Sequence, residues 1–340
     1  MKTKVMKIST LFCGLLIGFI FCSCGDDDEA SPSHLEKDWY VIEYDPNAGE
    51  LDQLIYDIYD KTGFPIFYND TLGSQTRYNK GGEPYTYYEI FQPGYAFTSF
   101  SSNFVYTLEH DEGKLENMIE ILRDYMLEPY FKKEYGSGFK GKYGPHAILV
   151  LDTLNKNKTT PDSLYRDLGL LALSTRNMVS IGKQGTIFLF KSIDQLTEED
   201  KVDYGWKIAM YELKRYFDIN YEDEIKAYYD VTKEPAEPDP NPSQGTDCYE
   251  LGKSFNIKNY GMDVTNPRKY GTLVFGLNNG SSIYMPSQLQ DLSAFARMIY
   301  TKTDAEIRAE HVDYEMIIRR YEMLLQLFKD SGLTQFIKEQ

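Results

Sequence analysis

Basic residues are the scarce charged class in this 340-residue chain, with 36 Lys and Arg against 52 Asp and Glu, a formal net charge of −16. Phosphate binding needs clustered cations that release counterions, so the deficit argues against nucleic acid as a partner. Cysteine is nearly absent as well, and four in 340 residues exclude a disulfide scaffold. The four histidines, His34, His110, His146 and His311, are far apart, and none has another His one turn away. No Gly-x-Ser-x-Gly elbow and no Walker loop occurs, which removes two common hydrolase signatures. No internal repeat at a period of 20–50 residues is visible, which disfavours solenoids and propellers. What the chain does have is aromatic residues, at 15%, chiefly as 29 Tyr, and a hydrophobic content of 42% that suffices for a real core.

Long apolar runs are also missing. The single long one, Leu11 to Phe21, is too short to span a bilayer as a permanent helix. It follows Lys2, Lys4 and Lys7 and reads as the apolar region of an export signal over residues 1–23. The string Phe21-Cys22-Ser23-Cys24-Gly25 resembles a bacterial lipobox, which implies lipidation of Cys24. Gly25-Asp26-Asp27-Asp28-Glu29 then opens an acidic, flexible tether over residues 24–36, and an acidic run beside a lipidated cysteine resembles a surface-export tag. Loss of residues 1–23 takes three Lys away and moves the charge from −16 to −19. Cys13 and Cys22 leave with them, so Cys248 remains as the one unmodified thiol. The expected location is the outer membrane of a bacterium, lipid-anchored and facing outward.

The remaining chain, 37–340, reads as one α+β domain with a small sheet and a mostly helical C-terminal lobe. Leu51, Leu54, Ile55 and Ile58 recur at helical spacing, as do Leu115, Met118, Ile119, Leu122, Tyr125 and Met126. Tyr85 to Tyr88 and Tyr95 to Phe97 suggest short strands within a Gly-, Pro- and Tyr-rich stretch. Ala147 to Leu151 is a continuous apolar run, as expected of a buried strand, and Thr186 to Phe190 reads as another. A long helix is predicted from about Glu198 to Phe217, capped by Thr197 with Asp200 three residues on. Trp206, Met210, Leu213 and Phe217 make its apolar stripe. Four prolines then mark a loop at about 232–247. Helices follow over Leu292–Thr301 and roughly His311–Lys329, the last stopping near Gly332.

The long helix carries Met210-Tyr211-Glu212-Leu213-Lys214-Arg215-Tyr216. Taken with the acidic N-terminus, the two apolar strands and the late string Leu292-Ser293-Ala294-Phe295-Ala296-Arg297-Met298-Ile299-Tyr300, this layout resembles the zinc metallohydrolase lipoproteins associated with substrate import in Bacteroidetes. The resemblance covers most of residues 45–340 and implies a zincin-like metallopeptidase-type fold. It also implies, as partners, a TonB-dependent transporter and a nutrient-binding lipoprotein. In that family the helix bears His-Glu-x-x-His, two imidazoles on one Zn²⁺ with the Glu activating the bound water. The aligned residues here are Tyr211, Glu212 and Arg215, so the Glu is retained and both ligands are replaced. The later acidic string of the family is matched by Ser293 to Arg297, without its acids. The resemblance therefore carries the fold to this chain but no zinc cofactor, and leaves Glu212 as the vestige of a catalytic position. By itself, Glu212 with Arg215 also reads as a surface ion pair at i,i+3.

Two other readings stay open. His110-Asp111-Glu112 and His311-x-Asp313-x-Glu315 are acidic neighbourhoods that could hold a metal, which would make the chain an active hydrolase with a non-standard site. Alternatively, aromatic rings flanked by carboxylates, as in Glu83-Pro84-Tyr85-Thr86-Tyr87-Tyr88-Glu89, could stack on sugar rings or a peptide in a binding lipoprotein unrelated to peptidases. Asp70-Thr71-Leu72, Asp152-Thr153-Leu154 and Asp162-Ser163-Leu164 resemble a short bacterial O-glycosylation motif and point only to an exported compartment.

Overall fold

The computed structural model describes residues 37–90, 104–132, 147–156, 170–174, 192–233, 249, 257, 263–278 and 282–338. Outside them lie the export signal, Cys24 and its tether, His34 and His146, and Tyr95 to Phe97. So do Asp162 to Leu164, the expected strand Thr186 to Phe190, Cys248 and residues 234–247 of the Pro-rich loop.

Two compact units are distinguished: of the described residues, 37–39 and 75–87 fall in one, and 40–74 with those from 88 to 338 in the other. In the larger unit, helix α1 (Glu50–Thr62) leads into strand β1 (Ile66–Phe67). Strands β2 (Thr71–Tyr78) and β3 (Pro84–Ile90) form a two-stranded hairpin whose outer part, Gln75 to Tyr87, belongs to the smaller unit. Its turn is organised by Asn79, whose Oδ1 accepts from Gly81 N at 2.8 Å and Glu83 N at 2.9 Å. Within the same unit the Arg77 guanidinium lies 3.3 Å over the Tyr87 ring.

Strand β4 (Phe104–Thr107) precedes helix α2 (Glu112–Leu122), which runs on through a π-turn (Arg123–Leu127) into the short turn Glu128–Tyr130. Strand β5 (Ala147–Leu151) is buried along its whole length, as its unbroken apolar string predicts. It is the centre of a parallel sheet of order β1-β5-β7, with β7 at Leu170–Ser174. Ile148 and Val150 face the main helical core, while Ala147, Leu149 and Leu151 pack against Tyr40, Phe67, Leu72 and Leu108 on the other side. Strand β6 (Thr153–Lys156) turns back to pair antiparallel with β4. The reversal is held by Asp152, whose carboxylate accepts from Thr107 Oγ1 at 3.0 Å.

The rest is mainly helical: α3 (Glu198–Asn220), α4 (Glu222–Asp230), the 3-10 turns Val231–Lys233 and Pro267–Tyr270, then α5 (Gln288–Thr301), α6 (Asp304–Glu310) and α7 (Glu315–Ser331). A short β8–β9 pair, Leu277–Asn278 with Ile283–Tyr284, precedes α5. The architecture is thus mixed α and β, with a small sheet and helices dominating the C-terminal part. Among the described residues no helix is long and apolar enough to cross a membrane.

Several boundaries differ from the sequence expectations: the helix expected from Leu292 already begins at Gln288, and the one expected to end near Phe217 runs on to Asn220. The helix expected through Met126 changes to π-helical pairing after Leu122, with Glu128 N–H reaching Arg123 O. Thr232 and Lys233 belong to a 3-10 turn and not to the Pro-rich loop, with Thr232 Oγ1 donating to Tyr229 O at 2.8 Å. The helix expected from His311 starts four residues later. His311 instead caps the C-terminal end of α6, its N–H on Ile307 O at 3.1 Å, and Tyr314 N–H donates to its carbonyl at 2.9 Å. The stop at Gly332 is as expected, a left-handed residue (φ 75°) whose N–H reaches Lys329 O while Leu333 N–H reaches Phe328 O.

Candidate functional site

Helix α3 starts where its sequence says it should. Thr197 Oγ1 accepts from Asp200 N, and the Asp200 carboxylate returns to Thr197 N at 3.0 Å, a complete capping box. Glu198, Glu199 and Asp200 in the first turn complement the positive end of the helix dipole. Downstream, Trp206, Met210, Leu213 and Phe217 are all buried, as the stripe requires. The helix is covered over a wider arc than that stripe, however, because Gly205 presses on the π-turn while Ile208, Glu212 and Tyr216 are buried too.

That wider burial sets the state of Glu212. Its residue is only 3% exposed, and Arg215 Nε approaches its Oε2 at 3.1 Å while the Arg215 side chain keeps 17% of its surface. The pair expected at i,i+3 is formed, but it is not the surface pair that the sequence suggests. Burial pushes the Glu212 carboxyl up to about 7, and the Arg215 charge only partly opposes this. Tyr211, one residue back, is half-buried and packs against the core.

A guanidinium has no lone pair to give a metal and keeps its positive charge, and a phenol is not an ordinary zinc ligand. Tyr211, Glu212 and Arg215 therefore do not fit Zn²⁺. Arg215 itself supplies the cation that a carboxylate in this position would face. The late string Ser293 to Arg297 also lies elsewhere. Ser293 Oγ accepts from Trp206 Nε1 at 2.9 Å, and Arg297 stacks 5.3 Å from the Trp206 ring and 3.7 Å from Asp203. Those contacts fall six to nine residues, about 9–14 Å, before Glu212 along α3.

The other sequence candidates take structural roles. Asp111 caps α2 by accepting from Lys114 N at 3.2 Å, and Glu109 accepts from the amides of His110 and Asp111. The His110 neighbourhood is thus a helix start. His311 is buried, and the carboxylate recorded against it, Glu310, stands 3.9 Å from Nε2. Among the described residues, no three His, Cys, Asp or Glu side chains gather as a metal would need. The tyrosines of the hairpin are more exposed than a half-buried strand face predicts, Tyr78 by 64% and Tyr85 by 47%.

One polar constellation escaped the sequence reading altogether. Arg320 on α7 and Asp291 on α5 are fully buried and joined by a guanidinium–carboxylate fork. Arg320 also donates to the carbonyls of Gly271 and Tyr228 and, at 2.7 Å, to Tyr249 Oη. Tyr249 and Tyr228 hydroxyls complete the set by donating to Asp291 Oδ2 at 2.9 and 3.2 Å. Burial alone would lower the Arg320 value, but Asp291, Tyr228 and Tyr249 hold it well above the arginine norm. The Tyr228 and Phe295 rings flank the guanidinium at 4.1 and 4.6 Å. With its donors met, this cluster is an internal clasp and offers nothing to a substrate. Its signal was available: Arg320 stands on the stripe Ile317, Tyr321, Leu324 and Phe328, where a charge is out of place. No family model, curated protein or solved structure matches the chain.

Proposed function

We propose that this protein is an outward-facing outer-membrane lipoprotein with a degenerate zinc-metallohydrolase-like, zincin-like fold. In this reading it is an accessory or binding component of a TonB-linked import system for glycans or peptides. The observation that carries the reading is the Glu212–Arg215 pair. A carboxylate stands buried in mid-helix, where the resembling family activates a metal-bound water, and a guanidinium 3.1 Å away occupies the role of the cation. A site neutralised from within has no need of a metal and no open Lewis acid, which favours binding over hydrolysis. The exposed Tyr78 and Tyr85 of the hairpin give such a protein rings on which a sugar or peptide can stack.

Metal analysis of the purified mature chain tests this reading. The wild type should carry no stoichiometric zinc, and Tyr211→His with Arg215→His should acquire it by restoring two imidazoles one turn apart. Near-stoichiometric zinc in the wild type, lost in Glu212→Gln, would overturn the degenerate-site reading. An active hydrolase built around His311 predicts instead a peptidase or esterase activity that His311→Ala abolishes. The anchoring is tested separately in cells. Replacing Asp26, Asp27 and Asp28 by Ala should remove the protein from protease-accessible positions at the surface, and unchanged accessibility would remove the export-tag element.

A further inference from the structure

His311 is a buried titratable residue for which the reading above has no use. It forms the joint between α6 and α7, accepting Tyr314 N–H through its carbonyl, and its side chain is only 3% exposed. Nδ1 is buried and has no hydrogen-bond partner, which is tolerable for a neutral ring presenting a lone pair and costly for a protonated one. Three charged groups act on the ring, each from a different element. Glu310, the last residue of α6, brings a carboxylate to 3.9 Å of Nε2, but that carboxylate is already paired with Lys302. Lys302 follows the end of α5, and Arg268 belongs to the 3-10 turn Pro267–Tyr270. Both cations oppose a proton on His311, and only Glu310 favours one. Around the same joint, Arg268 stacks 4.5 Å from the Tyr314 ring, and Asn266 donates to Tyr314 Oη at 2.8 Å.

We propose that His311 makes the α6–α7 joint an acid-sensitive latch. As a neutral ring it fills the joint. Once protonated it is a buried cation with an unanswered Nδ1–H, opposed by the charges of Lys302 and Arg268. The least costly relief is for the ring to leave the core, loosening α6 and releasing Tyr314 from Arg268 and Asn266. Helix α6 is suited to move, because it has only seven residues and a single buried one, Ile307. The sign agrees. Burial, the largest influence, lowers the His311 value, so the neutral ring's full stability holds above the ordinary histidine value of about 6.5 and is lost as pH falls through the lowered one.

The test uses the full mature chain. The His311 imidazole is followed by NMR from pH 8 to 5, its signal assigned by its loss in His311→Gln, while amide hydrogen exchange is compared at pH 7.5 and 5.0 after correction for intrinsic rates. His311 should titrate below 6.5. The amides of Ile307, His311 and Ile317 should open faster in acid, by about tenfold for each unit of lowering, while Leu324 in mid-α7 stays protected. His311→Gln, neutral at both pH values, should show no such acceleration. Titration at or above 6.5, or equal acceleration in His311→Gln, would overturn the latch. If His311→Gln does not fold, the wild-type titration and its local exchange decide alone.

Discussion

Arg320 and Asp291, 29 residues apart in sequence and both without solvent exposure, are bound to each other through a guanidinium fork. Two helices, α5 and α7, are thereby fixed in register, and Tyr249, just beyond the Pro-rich segment, is drawn to the same point. Removing one partner leaves a buried charge without compensation. Asp291→Ala should therefore cost about 3–5 kcal/mol in urea unfolding. Tyr249→Phe, which deletes one acceptor and one donor, should cost about 1–3 kcal/mol. Equal costs for the two variants would show that the carboxylate is not the hub.

Gly205 is required for a different reason. A Cβ built on it would stand 1.9 Å from the Tyr125 carbonyl oxygen, in the π-turn that α3 packs against. The obstruction is backbone, so neither helix can yield by turning a side chain. Gly205→Ala should lose at least about 3 kcal/mol or fail to fold. Val202→Ala, on the exposed side of the same helix, should change stability by no more than about 0.5 kcal/mol.

The Glu212 carboxyl gives a pH signature of its own. Its folded value is raised to about 7, so its contribution is complete below the ordinary value of 4.5 and is lost as pH rises through about 7. Stability measured by denaturant at pH 5 and 8 should fall for the wild type by a few kcal/mol more than for Glu212→Gln, which cannot ionise. Parallel pH dependence in the two proteins would mean that Arg215 keeps Glu212 ionised throughout.

Ser293 holds Trp206 at the meeting of α3 and α5, within a ring cluster of Tyr130, Tyr300 and Phe336. Ser293→Ala leaves a buried indole N–H without an acceptor, and a loss of about 1–3 kcal/mol is expected. Ser293→Thr retains a hydroxyl and should recover part of it. A neutral Ser293→Ala would show that water reaches Trp206 Nε1.

Much of the fold is legible locally. The capping box at Thr197, the left-handed stop at Gly332 and the buried strand Ala147–Leu151 depend on neighbouring residues, and each is found where its pattern places it. The π-turn at Arg123–Leu127 is not legible, because its apolar spacing suits an α-helix equally well and the deviation serves contact with Gly205. Nor is the break at His311 legible. Its flanks have good helical patterns, and the chain turns there so that His311 and Ile307 can both be buried. Arg320 and Asp291 were not singled out in the sequence, and although Arg320 falls on an apolar stripe, nothing in a single sequence pairs positions 29 apart.

By itself the sequence determined the exclusions and the local frame. The deficit of basic residues, the scarcity of cysteine and the absence of any histidine pair are facts of composition. The i,i+3 spacing of Glu212 and Arg215 on a helix brings their side chains together whatever surrounds them. Only the tertiary structure decided that this pair is buried, with Glu212 pushed towards neutrality, and that His311 closes a joint. The physical reason is that helical neighbourhood is set by a few successive residues, whereas desolvation is set by whichever distant segments pack on top. Two cations of this acidic chain acquire their roles in the same way, Arg215 and Arg320 serving as internal counter-ions to Glu212 and Asp291.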